Sequence, residues 1–381
     1  MSEKPTLTVM CGLSGSGKST KAHEIAEKTG AIVVSSDELR KELFGDERFQ
    51  GEKDKLFREY HKRVHDNLAA GRDVVADKTN ISIKSRRALL DAVKDLDVHK
   101  VCVICNVKYP DCLENNRNRS YQLPDEVIRK QLYGFQVPFY EEGWDEIHCT
   151  ALPGQLFSAR IMLGFDQKNP YHTEDLYDHS VRTTRAFLKR YPDKKLEGMF
   201  HDIGKTRTQK IGEDGIAHYY GHQNVGAYMI LTELGDDLPR LLDVSFVANY
   251  HMMPISWTTS KVKEKWRKIF GDEKFEMLMY FHECDMLRKE TQMKITGMNH
   301  FQNVCEEKLI DWYNRQEGYR RIDRSNVYIV WSCRILQNYK CLASTDIPGD
   351  GVYAEYTYNG DKQELYEDVY KKIQNNCHTE E

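Results

Sequence analysis

Residues 12–20 read GLSGSGKST, placed between an apolar run, TLTVMC (residues 6–11), and a helical pattern, KSTKAHEIAEKTG (18–30). That setting, a strand before and a helix after, turns the spacing GxxxxGK[ST] into a phosphate cradle. Gly12, Gly15 and Gly17 let backbone N–H groups around Ser14 and Ser16 face phosphate oxygens, and the helix N-terminus adds its positive dipole end. Lys18 can neutralise β- and γ-phosphates, Ser19 can ligate Mg²⁺, and Thr20 stands behind it. The loop therefore predicts ATP or another nucleoside triphosphate with Mg²⁺.

Outward from the loop, residues 6–150 alternate short apolar runs (TLTVMC, AIVV, DVVAD, KVCVICNV) with longer helical patterns (KSTKAHEIAEKTG, SDELRKELFG, KLFREYHKRVHDNLAAG, KSRRALLDAVKDL). Such alternation predicts a parallel sheet covered by helices. From about residue 151 turn residues give way to a series of amphipathic helices running to about 290, and beyond 300 strand-like segments return (NVYIVWSCRIL, GVYAEYTYN) before a helical KQELYEDVYKKIQ. The expected organisation is an α/β domain over residues 1–155, an all-α domain over 160–300, and a small α+β segment over 301–381.

Composition sets outer limits. At 381 residues, two or three domains is the expected count. Hydrophobic residues at 40% and charged residues at 30% describe a soluble globular chain. No apolar run approaches the roughly 18 residues of a membrane span, so no membrane partner is expected. The opening MSEKPTLTVMCG has no apolar signal region ahead of its first strand, which predicts a cytoplasmic protein. A net charge of −4 does not attract polyanions globally, so a nucleic-acid partner has to be held by local Lys and Arg clusters. The ten cysteines lack a framework spacing. Cys102 and Cys105, an odd number of positions apart on a strand, point to opposite faces and read as core.

Two groups of residues carry chemistry. After the second apolar run, SSDELRKE places Asp37 and Arg40 on one face of a helix start. A carboxylate there can take a proton from an attacking hydroxyl, and the guanidinium can grip a neighbouring phosphate; the alternative is an ordinary i,i+3 ion pair. Asp77, ending the third strand in DVVADKTN, can hold Mg²⁺ or cap a helix. Arg117 and Arg119 in NNRNRSYQLP can close over a triphosphate or form a solvated surface run. In the second group His201 and Asp202 adjoin in MFHDIGKTRT, with Lys205 within reach of an anion. Together with His179 upstream and Asp285 downstream they would make a nitrogen and oxygen site for a divalent transition metal (Mn, Ni, Co, Zn or Fe). His61 and His65 lack the glutamate of a zinc-protease helix and read as a solvated helix face.

GLSGSGKST, SDELR, VVADKTN followed by SRR, and the arginines before LP, over about residues 6–140, resemble the 5′-hydroxyl polynucleotide kinases of the phage end-healing type. The resemblance implies Asp37 as general base on the 5′-OH, Arg40 as a contact to the acceptor's phosphate and Arg119 as the lid arginine. The order H…HD…D over about residues 165–290 resembles the HD phosphohydrolase superfamily. HDIGKTRTQK and GIAHYYGHQNVGAYM look like the HD modules of bacterial tRNA nucleotidyltransferases. This implies His179, His201, Asp202 and Asp285 as ligands, with His222 and His251 either as extra ligands of a second ion or as contacts to substrate phosphate. A kinase fused to an HD module resembles bifunctional bacterial enzymes that heal broken nucleic-acid ends, here with the modules in reversed order. The implied partners are RNA rather than DNA ends and an RNA ligase acting on the healed product. Two other readings stay open: a kinase for a small hydroxyl compound with an HD nucleotidase, and a kinase with a tRNA-binding regulatory HD module.

Overall fold

The computed structural model describes residues 4–286 apart from 48, 50, 120, 152–158 and 170–173, and the backbone of three strands between 327 and 358. Five strands, β1 (Thr6–Cys11), β2 (Ile32–Ser35), β3 (Val74–Asp77), β4 (His99–Ile104) and β5 (Glu146–Cys149), form a parallel sheet in the order β2-β3-β1-β4-β5. Alternation along each strand divides the apolar residues between two faces. Leu7, Val9, Cys11, Val74, Ala76, Cys102 and Ile104 enter one core, while Met10, Val75, Val103 and Cys105 enter the other with Ala22 and Ile25 of α1 (Lys18–Thr29). Cys102 and Cys105 thus occupy opposite faces and are both buried.

Further helices cover the sheet: α2 (Ser36–Phe44), α3 (Lys53–Ala69), α4 (Ile83–Ala92), α5 (Tyr109–Arg117) and α6 (Asp125–Tyr133). Serine hydroxyls cap two of them, Ser35 Oγ accepting from Glu38 N and Ser82 Oγ from Ser85 N. Sequence periodicity did not reveal α5, α6 or β5. Arg86 of α4 is fully buried, paired with Glu142 and donating to the carbonyls of Asn80 and Gln136, so it locks the end of β3 to the chain leaving α6.

Helices α7 (Leu176–Phe187), α8 (Lys195–Phe200), α9 (Lys205–Thr208), α10 (His222–Glu233) and α11 (Leu238–Tyr250) follow, with a short antiparallel pair, β6 (Lys210–Ile211) and β7 (Ala217–His218), between α9 and α10. The last helical stretch among the described residues, α12, covers 260–286 and passes through Gly271, whose φ of 74° is left-handed. The change of pattern near residue 155 is a change from sheet to helix within one apolar core, because residues from Leu7 to Cys284 belong to a single buried cluster. Phe139, from the sheet half, packs edge-on against Phe246, Tyr250 and Phe270 of the helical half. Polar groups join the halves as well: Asn249 takes the amide of Val137, Tyr250 and Tyr228 donate to the carbonyls of Val137 and Val107, and Asn106 donates to that of Leu231.

Residues 1–287 are accordingly one compact unit and 288–381 a second. In the second, β8 (Val327–Cys333), β9 (Tyr339–Thr345) and β10 (Val352–Tyr358) pair antiparallel in the order β10-β9-β8. The helix expected over 362–374 lies outside the described residues.

Candidate active sites

The carboxyl ends of β1, β2 and β3 open on a cleft of about 440 Å³ lined by Ser14, Lys18, Ser19, Asp37, Arg40, Asp77, Lys78 and Arg119 among others. The loop after β1 turns on Gly15 and Gly17, both left-handed with φ of 83° and 77°. At Gly15 there is no room for a side chain, since a Cβ would lie 2.1 Å from the carbonyl oxygen of Cys112. Lys18 Nζ donates to Leu13 O at 2.8 Å, and burial pushes its pKa down from the usual lysine value. Ser19 Oγ donates to Asp77 Oδ2 at 2.7 Å, so the hydroxyl and the carboxylate that would share Mg²⁺ already stand side by side. These hard oxygen donors suit that ion. Thr20 is exposed, and Gly12 fixes the loop's start by donating its amide to Thr79 O.

Asp37 and Arg40 share one face of α2, with Arg40 Nη1 2.6 Å from Asp37 Oδ1 and 3.1 Å from Glu47 O. Of the two lid candidates, Arg119 lines the cleft while Arg117 is exposed, outside that lining, and paired with Asp125 at 2.9 Å. Three contributors have no signal in the loop motif itself. Gln131 of α6 both accepts the Ser14 amide and donates to Ser14 Oγ, Asn115 of α5 donates to Gly15 O, and Lys78 reaches the cleft from the end of β3.

The second cluster lies in the helical half. His179 comes from α7, His201 and Asp202 from the turn after α8, His222 from the start of α10, His251 from the end of α11 and Asp285 from α12. Asp202 is central. Its Oδ2 is 3.2 Å from His179 Nε2 and 3.3 Å from His201 Nε2, while its Oδ1 is 3.1 Å from His222 Nε2 and 3.4 Å from His251 Nε2. Asp285 Oδ1 completes the first set, 3.2 Å from His179 Nε2 and 3.6 Å from His201 Nε2. Two groups of donors, His179/His201/Asp202 and Asp202/His222/His251, thus share one carboxylate. The close approach that delivers His222 depends on Gly204, where a Cβ would lie 2.0 Å from the His222 carbonyl oxygen.

The imidazoles are oriented from behind. Nδ1 of His201, His222 and His251 lies 2.8–2.9 Å from the carbonyl oxygens of Gly198, Tyr219 and Ala248. Each Nδ1 therefore donates, so each of these rings when neutral presents its Nε2 lone pair to the centre, as ligation requires. At His179 the arrangement is reversed, with Arg182 Nη2 3.0 Å from Nδ1. A neutral His179 then carries its proton on Nε2, and ligation through that nitrogen requires Arg182 to turn away. Lys205 Nζ is 2.7 Å from Asp202 Oδ2 and 3.0 Å from Gln167 Oε1.

Burial alone would raise Asp202 and Asp285, but Lys205 and His201 on the former, and His179 and His201 on the latter, hold both well below the usual carboxylate range. Burial disfavours a charged His201, yet the Asp202 and Asp285 carboxylates override it and lift its pKa to about 10. His251 is pushed down by burial. Lys205 and a charged His201 balance the two buried carboxylates here, and the donor set of nitrogen and oxygen fits a divalent transition metal.

Residues 7–138 match a family model described as an AAA domain, and residues 302–380 match a family of unknown function. The L-seryl-tRNA(Sec) kinase of Methanococcus maripaludis is 26% identical over 144 residues, which are 36% of this chain and 56% of that protein. This chain thus spans little more than half the length of that relative. Among solved structures, a chain of the Pnkp1/Rnl/Hen1 RNA repair complex is 18% identical with a TM-score of 0.32, covering 34% of this chain and 44% of its own. A gluconokinase from Sinorhizobium meliloti is 21% identical with a TM-score of 0.30, covering 40% and 86%. The N-terminal part is an α/β P-loop kinase-like domain built on a parallel sheet. Among the described residues no helix is long and apolar enough to cross a membrane.

Proposed function

We propose that this protein heals both ends of a broken nucleic-acid strand. The P-loop module (1–155) phosphorylates a 5′-OH with ATP, and an HD-type module (160–300) removes 3′-phosphate, 2′-phosphate or 2′,3′-cyclic phosphate. The observation that carries the reading is Asp202 sharing its two oxygens between two sets of buried imidazoles, within the same compact unit as a P-loop cleft that holds Asp37 and Arg40. The kinase relative's name gives a hydroxyl-bearing group carried on tRNA as that protein's substrate, which supports an RNA-borne acceptor.

In the kinase step Asp37 takes the proton of the 5′-OH as its oxygen bonds to the γ-phosphorus, and the bond from that phosphorus to the β,γ-bridging oxygen breaks to release ADP. Arg40 holds the acceptor's phosphate, Lys18 the β- and γ-phosphates, and Arg119 covers the transferring group. Ser19 and Asp77 would hold Mg²⁺.

In the hydrolytic site His179, His201, Asp202, Asp285, His222 and His251 would hold the metal, which when bound lowers the pKa of water and polarises a phosphoryl oxygen. Lys205 pairs with Asp202, fixes that carboxylate and offers charge to the phosphate that leaves. A 5′-phosphate and a 3′-OH are the ends an RNA ligase joins, which makes such a ligase the expected partner.

The test is one oligoribonucleotide bearing 5′-OH and 2′,3′-cyclic phosphate, incubated with γ-labelled ATP and Mg²⁺, with untreated protein, with metal-stripped protein, and with stripped protein resupplied with Mn²⁺. Labelling of the 5′ end together with metal-dependent opening and loss of the 3′ phosphate is expected. Labelling of a free nucleoside but not of the oligonucleotide points to a small-molecule kinase, and activities untouched by stripping refute the hydrolytic half.

A further inference from the structure

A strongly basic stretch in the helical half serves neither of the two proposed sites. Residues 261–268, KVKEKWRK, hold five cations and one carboxylate, a net +4 in a chain whose overall charge is −4. They lie in the first half of α12, the helix that starts at residue 260, shortly after His251, and reaches Asp285. Spacing sorts the stretch into faces. Val262, Trp266, Ile269 and Phe270 turn towards the apolar core. Trp266 stacks on Trp257 and on Phe270, with ring centres 6.4 and 5.2 Å apart, and Phe270 lies 5.1 Å from Tyr250, the neighbour of His251. Lys261, Lys265 and Lys268, at i, i+4 and i+7, share the exposed face, and Lys263 is exposed as well. The aromatic contacts thus hold a row of lysines on a fixed support, one layer of side chains from the helix that delivers His251.

This row is short of counter-charge. Among the described residues no carboxylate pairs with Lys261, Lys263 or Lys265, whereas Lys268 pairs with Glu264 at 2.8 Å and Arg267 with Asp272 and Glu276. Lys265 Nζ sits 5.3 Å from the centre of the Trp266 ring, which orients the ammonium without neutralising it. Like charges at i,i+4 weaken a helix, and Lys261 and Lys265 stand at that spacing. An anion that spans both relieves the repulsion. Ammonium groups repeated turn by turn along a helix match an anion whose charges also repeat along a chain, and a nucleic-acid backbone has that chemistry.

We infer that the Lys261/Lys265/Lys268 face of α12 binds the phosphodiester backbone of the RNA strand whose 3′ end is processed at the ion cluster. This rests on the hydrolytic reading above and narrows its substrate class: polynucleotide ends are taken in preference to mononucleotides that carry the same terminal group. The lysines hold the body of the strand, and the groups around Asp202 remain those that meet its terminal phosphate.

The experiment gives full-length wild type, Lys261→Gln/Lys265→Gln and Lys261→Arg/Lys265→Arg two substrates with the same end, an oligoribonucleotide of about twenty nucleotides closed by 2′,3′-cyclic phosphate and adenosine 2′,3′-cyclic monophosphate, both with Mn²⁺. Melting temperature and bound metal, measured in parallel, check the fold and the ion cluster. The wild type is expected to favour the oligoribonucleotide in kcat/KM. The Gln variant should raise KM for it on the order of tenfold, the scale of two exposed charge contacts, and leave its kcat and the turnover of the cyclic mononucleotide unchanged. In equilibrium binding at stepped salt, the slope of log affinity against log salt should become shallower by about 0.7 for each lysine removed. The Arg variant, which keeps the charge, should retain the wild-type KM. If the Gln variant changes both substrates by the same factor, or neither, the strand-binding face is refuted while the hydrolytic reading stands. If it loses binding to vesicles of phosphatidylserine and phosphatidylcholine but not to the oligoribonucleotide, the face meets a membrane surface and the inference is again refuted. If the wild type opens neither substrate, the hydrolytic reading itself is wrong and the inference falls with it.

Discussion

Replacing Asp202 by alanine should damage both proposed ion sites at once, because the two donor sets share that carboxylate. Asp202 supplies Oδ2 to the set with His179, His201 and Asp285 and Oδ1 to the set with His222 and His251. Without it the first set keeps three donors and the second only two. His222→Ala removes a donor from the second set alone, and Asp285→Ala from the first alone. An ion present at about a hundred times its dissociation constant stabilises the fold by about 2.7 kcal/mol. For a unit of 287 residues that corresponds to about 4–5 °C in melting temperature per filled set. The assay is metal counting by elemental analysis beside thermal melts with Mn²⁺ titrated into stripped protein. The wild type should bind two ions, His222→Ala one, and Asp202→Ala should show little of the melting shift. Wild-type stoichiometry and shift in Asp202→Ala would refute the shared-carboxylate arrangement.

Three more perturbations test other parts of the account. Gly15→Ala places a Cβ against the Cys112 carbonyl at a left-handed φ, so it should raise the KM for ATP by at least tenfold while leaving 3′-phosphate release intact, measured by steady-state kinetics of both activities. Phe139→Ala empties a site shared by Phe246, Tyr250 and Phe270, and should cost about 3–5 kcal/mol in urea denaturation. Because sheet and helices share that core, nucleotide and metal binding should disappear in one transition. The pKa of Lys78 falls from the ordinary 10.5 to about 8 on folding, so below pH 8 the ammonium is charged in both states and its burial fully opposes folding. Between pH 8 and 10.5 the folded state has shed a proton that the unfolded chain still holds. Stability of the wild type relative to Lys78→Met should therefore rise across that window by on the order of 3 kcal/mol, read from denaturation curves at stepped pH.

What the sequence made legible was local. The phosphate loop is a run of nine residues whose conformation follows from its own glycines, and β1 to β4 announce themselves as apolar runs bounded by turns. Helices α5 and α6 are nine residues each and polar on most of their surface, so NNRNRSYQLP read as an arginine-bearing polar stretch, and the contacts that Asn115 and Gln131 make with the loop stayed hidden. The four-residue β5 is short and carries Glu and His beside its one buried Ile147. Lys78 looked like part of a strand-end motif, because its place beside Arg40 depends on strand register rather than spacing.

For the histidines the residue types were enough to nominate a metal centre, but not to choose between ligand and phosphate contact for His222 and His251. That choice depends on which nitrogen faces Asp202, and so on carbonyls of Tyr219 and Ala248 that only the folded chain brings into place. Arg182 behind His179 is another long-range feature of this kind. The single apolar core joining sheet and helices is likewise invisible to a reading that marks boundaries where the pattern changes.

The most direct measurement uses Lys18→Ala and Asp202→Ala side by side on an oligoribonucleotide with 5′-OH and 2′,3′-cyclic phosphate ends, following label at one terminus and phosphate at the other. Two separate sites predict reciprocal defects: Lys18→Ala loses 5′ phosphorylation and keeps 3′ phosphate removal, and Asp202→Ala does the opposite. Loss of both activities in each folded variant, or of neither, would contradict the account.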